Sequence, residues 1–171
     1  MFCTTGVREL YTALLSYRNP PETLNSQVQL IFLSARPQGA QSKSIADLRA
    51  KGAPGHFIVL YGKLIPDILA AVDTLAMGKE KVSMFKLYRG LYPHFLYFFF
   101  GDTGQGDADT GEGMLSLPNP ADRPIAVFLH EVRPPGVLKT RKVGDNYIYF
   151  NVYAEAHARA IGRGYLPPIK P

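Results

Sequence analysis

This chain is poor in the features that most quickly assign a class. Its 171 residues include one cysteine, Cys3. No disulfide can close within it, and a reducing compartment is the simpler setting. We therefore expect a cytoplasmic protein, peripheral to membranes at most. The longest purely apolar run, residues 95–100, is far short of the ~20 residues that a membrane-spanning helix needs. The opening "MFCTTGVREL" has no basic segment followed by an apolar run, so it does not read as a secretory leader. No repeat and no low-complexity block interrupts the sequence. The basic residues are scattered, with no stripe interleaved with aromatics, which argues against a dedicated nucleic-acid binder.

What is present is an ordinary core-forming composition: 46% hydrophobic and 19% charged residues, net charge +5, with an isoelectric point near 9.3. That suits one globular domain over residues 1–171. The charge favours phosphate-bearing partners without choosing among nucleic acid, phospholipid and a small ester.

Apolar periodicity supplies the elements. "VRELYTALL" (residues 7–15) places Leu10, Tyr11, Leu14 and Leu15 on one helical face, and "NPPETLNS" breaks it. "VQLIFLS" (28–34) reads as a buried strand. Ser42 or Ser44 can cap a short helix running to about Lys51. "HFIVLYG" (56–62) is a second strand, and "IPDILAAVDTLAM" is a short helix or an irregular apolar excursion. In "KEKVSMFKLYRGLY" (79–92), Val82, Phe85, Tyr88, Leu91 and Tyr92 recur at helical spacing until Pro93 stops them. "FLYFFFG" (95–101) is a third strand, read as buried and central, and "IAVFLHEV" (125–132) is a fourth. A Pro/Gly-rich loop, a short strand "YIYF" and an alanine-rich helix "VYAEAHARAIG" follow. Strands alternate with helices, and the strands are continuous apolar runs. Both faces of a parallel sheet are therefore expected to be covered, in a doubly wound α/β fold.

In such sheets ligands gather at the carboxyl edge. Ser34 ends the first strand. Asp102 ends the third, ahead of a loop of glycines and carboxylates. His130 and Glu131 end the fourth. Lys81 is expected in the first turn of the helix before the third strand, at the same edge. A hydroxyl, an ammonium and carboxylates meet there. The hydroxyl can donate to phosphoryl oxygens, and the ammonium can offset developing negative charge. Asp102 and Asp107 can hold Mg²⁺ while waters complete its shell. The plain reading of the same two aspartates is turn formation. Local hydrogen bonds are the plain reading of His130 and Glu131. Two decoys fall away. "DADTGE" starts like an EF-hand loop but has Glu112 where glycine is required and Pro118 where glutamate is required. The glycines of "GDTGQGDADTGEG" include no G-K-[ST], so this is no Walker loop.

The order Ser34, Lys81, Gly101–Asp102, Asp107 resembles motifs II, III and IV of the haloacid dehalogenase-like phosphatases. The blocks "TGVRELYTALL", "IFLSARP", "GKEKVSMFKLYRGLYP", "FFFGDTGQGD", "AVFLHEV" and "YFNVYAEAHARAIGRGYL" look like the phosphatidate phosphatase catalytic domain first known from a yeast actin-patch protein. They are closest to its protist and oomycete-like members and cover nearly the whole chain. The resemblance implies a Mg²⁺-dependent hydrolase of a phosphate ester, with phosphatidate at a membrane surface as the family's substrate. It implies an aspartate nucleophile that takes the phosphoryl group and a second aspartate acting as general acid and base. By position, Ser34 would bind phosphoryl oxygens and Lys81 would steady the nucleophile and the phosphoryl charge. Asp102 would ligate Mg²⁺ directly, and Asp107 directly or through water. Lys79 and Lys86 flank Lys81, but the spacing to Pro93 favours Lys81.

One element departs from the family pattern. An apolar strand ending in D-x-D-x-T should precede "TGVRELY", and these 171 residues do not contain it. The run Asp107–Thr110 is a D-x-D-T, but it lies inside the loop after the third strand and has no strand of its own. The expectation is thus a phosphatase domain lacking its first strand and nucleophile, inactive as it stands. The alternative is a non-catalytic homologue that binds phosphate esters or anionic lipid.

Overall fold

The computed structural model describes residues 6–16, 28–62, 74–104, 106–132 and 143–166. The break "NPPETLNS", most of "IPDILAAVDTLAM" and most of the loop before "YIYF" lie outside them. Among the described residues, five α-helices and five strands follow in this order: α1 Val7–Ser16, β1 Ile31–Pro37, α2 Gln41–Ala50, β2 Ile58–Gly62, α3 Thr74–Leu91, β3 Phe98–Asp102, α4 Asp107–Leu115, β4 Ala126–His130, β5 Tyr147–Phe150 and α5 Tyr153–Gly162. Every strand pairing is parallel, as the unbroken apolar runs require. The architecture is therefore α/β with parallel sheets.

The strands fall into two groups. β1 pairs with β2, and β3–β4–β5 forms a second sheet with β4 in the middle. β4 is buried along its whole length, and Phe128, Ile148 and Phe150 from β4 and β5 centre the main core with Ala156 and Ala160 of α5. The aromatic strand was expected to be central. Among the described residues it is instead an edge: there β3 pairs only with β4, and all five of its residues are half-buried.

Helices cover both faces. α1 lies on the face to which Phe32, Phe98 and Phe100 point. Tyr11 meets Phe32 edge-on with ring centroids 6.0 Å apart. Leu14 packs against the Phe128 cluster together with Phe98 and Phe100. Burial, with Tyr153 adding, pushes the Tyr11 hydroxyl up to about 12, as expected under a helix packed on α5. On the opposite face, Phe85 of α3 and Met114 of α4 form a cluster to which Leu33 of β1 and Phe99 of β3 both contribute. The period-two alternation of strand side chains divides the two faces this way. The two sheets share these helices although no strand of one pairs with a strand of the other.

Helix α3 begins earlier than the apolar spacing suggested. Lys81 therefore sits two turns inside it rather than in its first turn. The glycine–carboxylate run, read as a loop, is largely helix α4. α2 starts at Gln41 without a side-chain cap, and Ser44 is buried within it rather than capping it.

Candidate functional site at the carboxyl edge

Lys81 and Asp107 form the centre of the candidate site. Lys81 Nζ lies 2.5 Å from Asp107 Oδ1, with each side chain only about one-sixth exposed or less (14% and 16%). Two local features bring them together. Gly106 takes a left-handed conformation (φ 77°), letting the chain turn from β3 into α4, and a Cβ there would lie 2.2 Å from the Thr74 carbonyl oxygen. The first turn of α3 and the start of α4 therefore approach backbone to backbone. Asp107 is the first residue of α4, where unpaired N–H groups favour a carboxylate. Gly101 leaves room for it, since a Cβ there would come within 2.6 Å of the Asp107 Cβ.

Asp102 adjoins this pair. Its backbone N–H donates to Asp107 Oδ2 at 3.2 Å, and its Oδ1 accepts from the Gly104 N–H at 2.6 Å. The Asp107 carboxyl is pushed above the usual carboxylate range. Burial is the main cause, Lys81 opposes it, and the neighbouring Asp102 charge adds to it. Two crowded carboxylates against one ammonium make a locus that gains from a further positive charge.

Ser34, expected to end its strand, instead lies in the middle of β1, which continues to Pro37; it pairs with Tyr61 just before the register shifts. Its hydroxyl accepts from the Arg36 N–H at 3.2 Å, and no described hydrogen bond joins it to Lys81, Asp102 or Asp107. Of the four expected site residues, the structure thus joins Lys81, Asp107 and Asp102 directly and holds Ser34 apart, across the division between the sheets. His130 is a packing residue with one polar tie. Its ring stacks on Phe150 at 5.2 Å, and Nε2 donates to the Asn151 carbonyl at 2.9 Å. Glu131 continues the sheet, its N–H donating to the Phe150 carbonyl at 2.8 Å.

No family model, curated protein or solved structure matches this chain. The site's chemistry therefore rests on its own geometry. Among the described residues, no cluster of three or more His, Cys, Asp or Glu side chains is positioned to hold a metal ion. Asp102 and Asp107 are two adjoining carboxylates, but both Asp107 oxygens are already engaged, by the Lys81 ammonium and the Asp102 N–H, so Asp102 is the carboxylate better placed to take a cation. One carboxylate is the smallest protein share of an open Mg²⁺ site, which leaves the rest to water and phosphate. It does not fit a closed site.

Sequence reasoning missed the α4 helix and the role of Arg89. The signal for α4 was Asp107 and Asp109 in its first turn, hidden by Gly111 and Gly113. Those glycines are packing residues: Cβ atoms there would lie 2.6 Å from Val127 and 2.7 Å from Val82. Arg89 anchors the turn into β3. It donates to the carbonyls of Tyr92, Pro93 and Phe95 and, at 2.5 Å, to that of Ala121.

Proposed function

We propose that this chain is the larger part of a Mg²⁺-dependent phosphomonoester hydrolase of the haloacid dehalogenase-like, phosphatidate phosphatase kind. On this reading it has no turnover until a strand bearing the nucleophile joins it. The observation that carries the proposal is the shielded Lys81–Asp107 pair set against Asp102 at the carboxyl edge of a parallel sheet. A solvated helix lysine does not hold a partner at this depth. The family motifs read from the sequence support the same assignment.

In this reading Asp102, with Asp107 behind it, would hold Mg²⁺, which supplies charge neutralisation of the phosphoryl group. Asp107 orients the Lys81 ammonium toward the reacting phosphate and, being buried, fixes it there. Ser34 donates its hydroxyl to a phosphoryl oxygen from the opposite side. None of these residues is a nucleophile for phosphorus. The chain's own groups therefore bind and stabilise, and the bond-forming group comes from outside residues 1–171. A lipid phosphate is the substrate class that the resemblance suggests.

The test compares the 171-residue chain with one extended upstream from its own coding sequence, using p-nitrophenyl phosphate and Mg²⁺. The extended chain should turn over and the shorter one should not. Asp102→Asn should lower the extended chain's rate by about 100-fold or more. Turnover by the shorter chain, or none by the extended one, would end this reading. So would a rate untouched by Asp102→Asn.

A further inference from the structure

We propose that the outward face of the second half of α3, with the turn that follows it, is a surface on which a second copy of this chain docks about a two-fold axis. Leu87, Leu91 and Leu96 are 71%, 72% and 74% exposed, and Tyr92 is exposed beside them. A single exposed leucine needs no explanation, but a group of them on one patch does. Leu87 and Leu91 are one helical turn apart and share a face of α3. Leu96 stands in the turn into which that helix leads.

This turn can be covered at little cost. Arg89 is itself buried and donates to the carbonyls of Tyr92, Pro93 and Phe95. The Tyr92 carbonyl also accepts from the Tyr97 hydroxyl at 2.9 Å and from the Phe95 N–H at 3.3 Å. Pro93 has no N–H to satisfy. Carbonyls in a solvated turn can rely on water, whereas these three already hold protein donors. A partner that displaces water from them strands no acceptor. The Tyr92 and Phe95 rings stack with centroids 5.4 Å apart, and Tyr88 packs behind Tyr92 at 4.7 Å. The patch is thus held in one shape before anything binds, which lowers the cost of association.

Charge, shape and position select a second copy as the occupant. A two-fold contact sets each residue near the axis against its own counterpart, so a charged centre would repel itself. From Gly90 to Gly101 the sequence has no Asp, Glu, Lys or Arg. Lys79 and Lys86 of α3 lie to one side, in the groove that α3 forms with Asp109 and Glu112 of α4. As for shape, a Cβ on Gly90 would meet nothing within 4 Å. Gly90 therefore leaves a gap beside Leu87 and Leu91, and two reversed copies of α3 can each seat Leu87 in the other's gap. Ridges entering grooves in this way let helices pack closely. As for position, the first turn of α3 meets Gly106 near the candidate site, whereas Leu91 lies about 15 Å along the helix from Lys81. A dimer formed there leaves both candidate sites open. A bilayer there would hold the site away from its own lipids, an argument against a membrane occupant that rests on the hydrolase reading above. The patch is of the order of 300–600 Å², the size of the largest apolar patch on a typical monomer. Two copies together bury at most about 1,200 Å², the lower end for specific complexes. The dimer is therefore weak, with a dissociation constant of the order of 10–100 µM.

Sedimentation equilibrium of the protein, from below to well above that range, tests this. The mass should rise with concentration from monomer to dimer and stop there. Gly90→Arg fills the gap with a charge, clashes with nothing in the monomer and replaces a helical glycine. Its urea midpoint should match or exceed that of wild type, while dimerisation weakens by about tenfold or more. Leu87→Lys should weaken the dimer likewise. A wild type that stays monomeric throughout overturns the proposal. If that monomer also binds phosphatidylcholine–phosphatidylserine vesicles, and Leu91→Glu does not, the face belongs to a bilayer. A dimer indifferent to both variants, or growth past the dimer, overturns the proposal as well. Should Gly90→Arg fail to fold, Leu87→Lys, at an exposed position, decides alone. The readout is mass, so the outcome is separate from whether the protein hydrolyses phosphate esters.

Discussion

Lys81 and Asp107 illustrate how a shielded pair differs from a surface one. An exposed ion pair is worth a few tenths of a kcal/mol, but removing one member of a shielded pair leaves a stranded charge. Lys81→Met should therefore cost about 3 kcal/mol at neutral pH by urea denaturation. Burial already raises the Asp107 pKa, so in the variant the charged form is the penalised one. The penalty applies above the folded pKa and fades as pH falls through it, because a protonated Asp107 needs no cation. Adding Asp107→Asn should restore part of the loss at neutral pH. A loss that stays constant with pH would show that packing, not charge, holds these residues together. Arg89 makes a comparable case with mostly neutral partners, besides the Asp122 carboxylate 3.6 Å from its Nε. Its planar fork reaches four carbonyls, those of Tyr92, Pro93 and Phe95 in the turn and that of Ala121, and a single ammonium cannot span them. Arg89→Lys should cost about 2 kcal/mol, read from the same denaturation curves.

Among the elements, α5 lacks a side-chain cap at Val152, and Glu155 compensates. Its Oε2 accepts the Asn151 N–H at 2.9 Å and its Oε1 meets Arg159 one turn on. The Asn151 hydrogen bond is the main reason its pKa lies below the usual range. A depressed carboxylate stabilises the fold above its unfolded pKa of about 4.3 and stops doing so as pH falls through the folded value. Glu155→Gln should lower stability by about 0.5 kcal/mol at pH 7, and wild type and variant should converge near pH 3. A gap that persists in acid would assign the effect to helix propensity. The strands and the longer helices were legible because their apolar spacing is set by what they bury. "IAVFLHEV" has no polar residue before His130 and became the buried β4. Phe85 and Tyr88 faced the core as their spacing required, whereas Leu91 did not and is 72% exposed. The aromatic run misled because apolar content reports how much a strand can bury, not whether both its edges are paired. α4 misled because glycine weakens helix propensity locally while allowing the close approach to β4 and α3. For the site, the sequence placed Lys81, Asp102 and Asp107 at one edge. The direct Lys81–Asp107 contact depends on backbone contact across Gly106, which no spacing encodes.

For the whole molecule, the pairing pattern sets how stability is distributed. β1 and β2 are half-buried along most of their length, while β4 is buried throughout. Among the described residues no strand of one sheet pairs with a strand of the other, and helices pack on both. The amide of Phe32, which faces β2, should therefore open at a free energy at least about 2 kcal/mol below that of Phe128, which faces β3. Native-state exchange across a denaturant series would show it, and a single common opening energy would contradict it. The docking of α1 on α5 also bears on how the chain is made. α1 leaves the ribosome well before α5, on which it packs, and its Val7 and Leu10 are destined for burial. During that interval the stripe faces water, and the nascent chain is exposed to aggregation. A cell that makes this protein must shelter α1 until α5 has followed it.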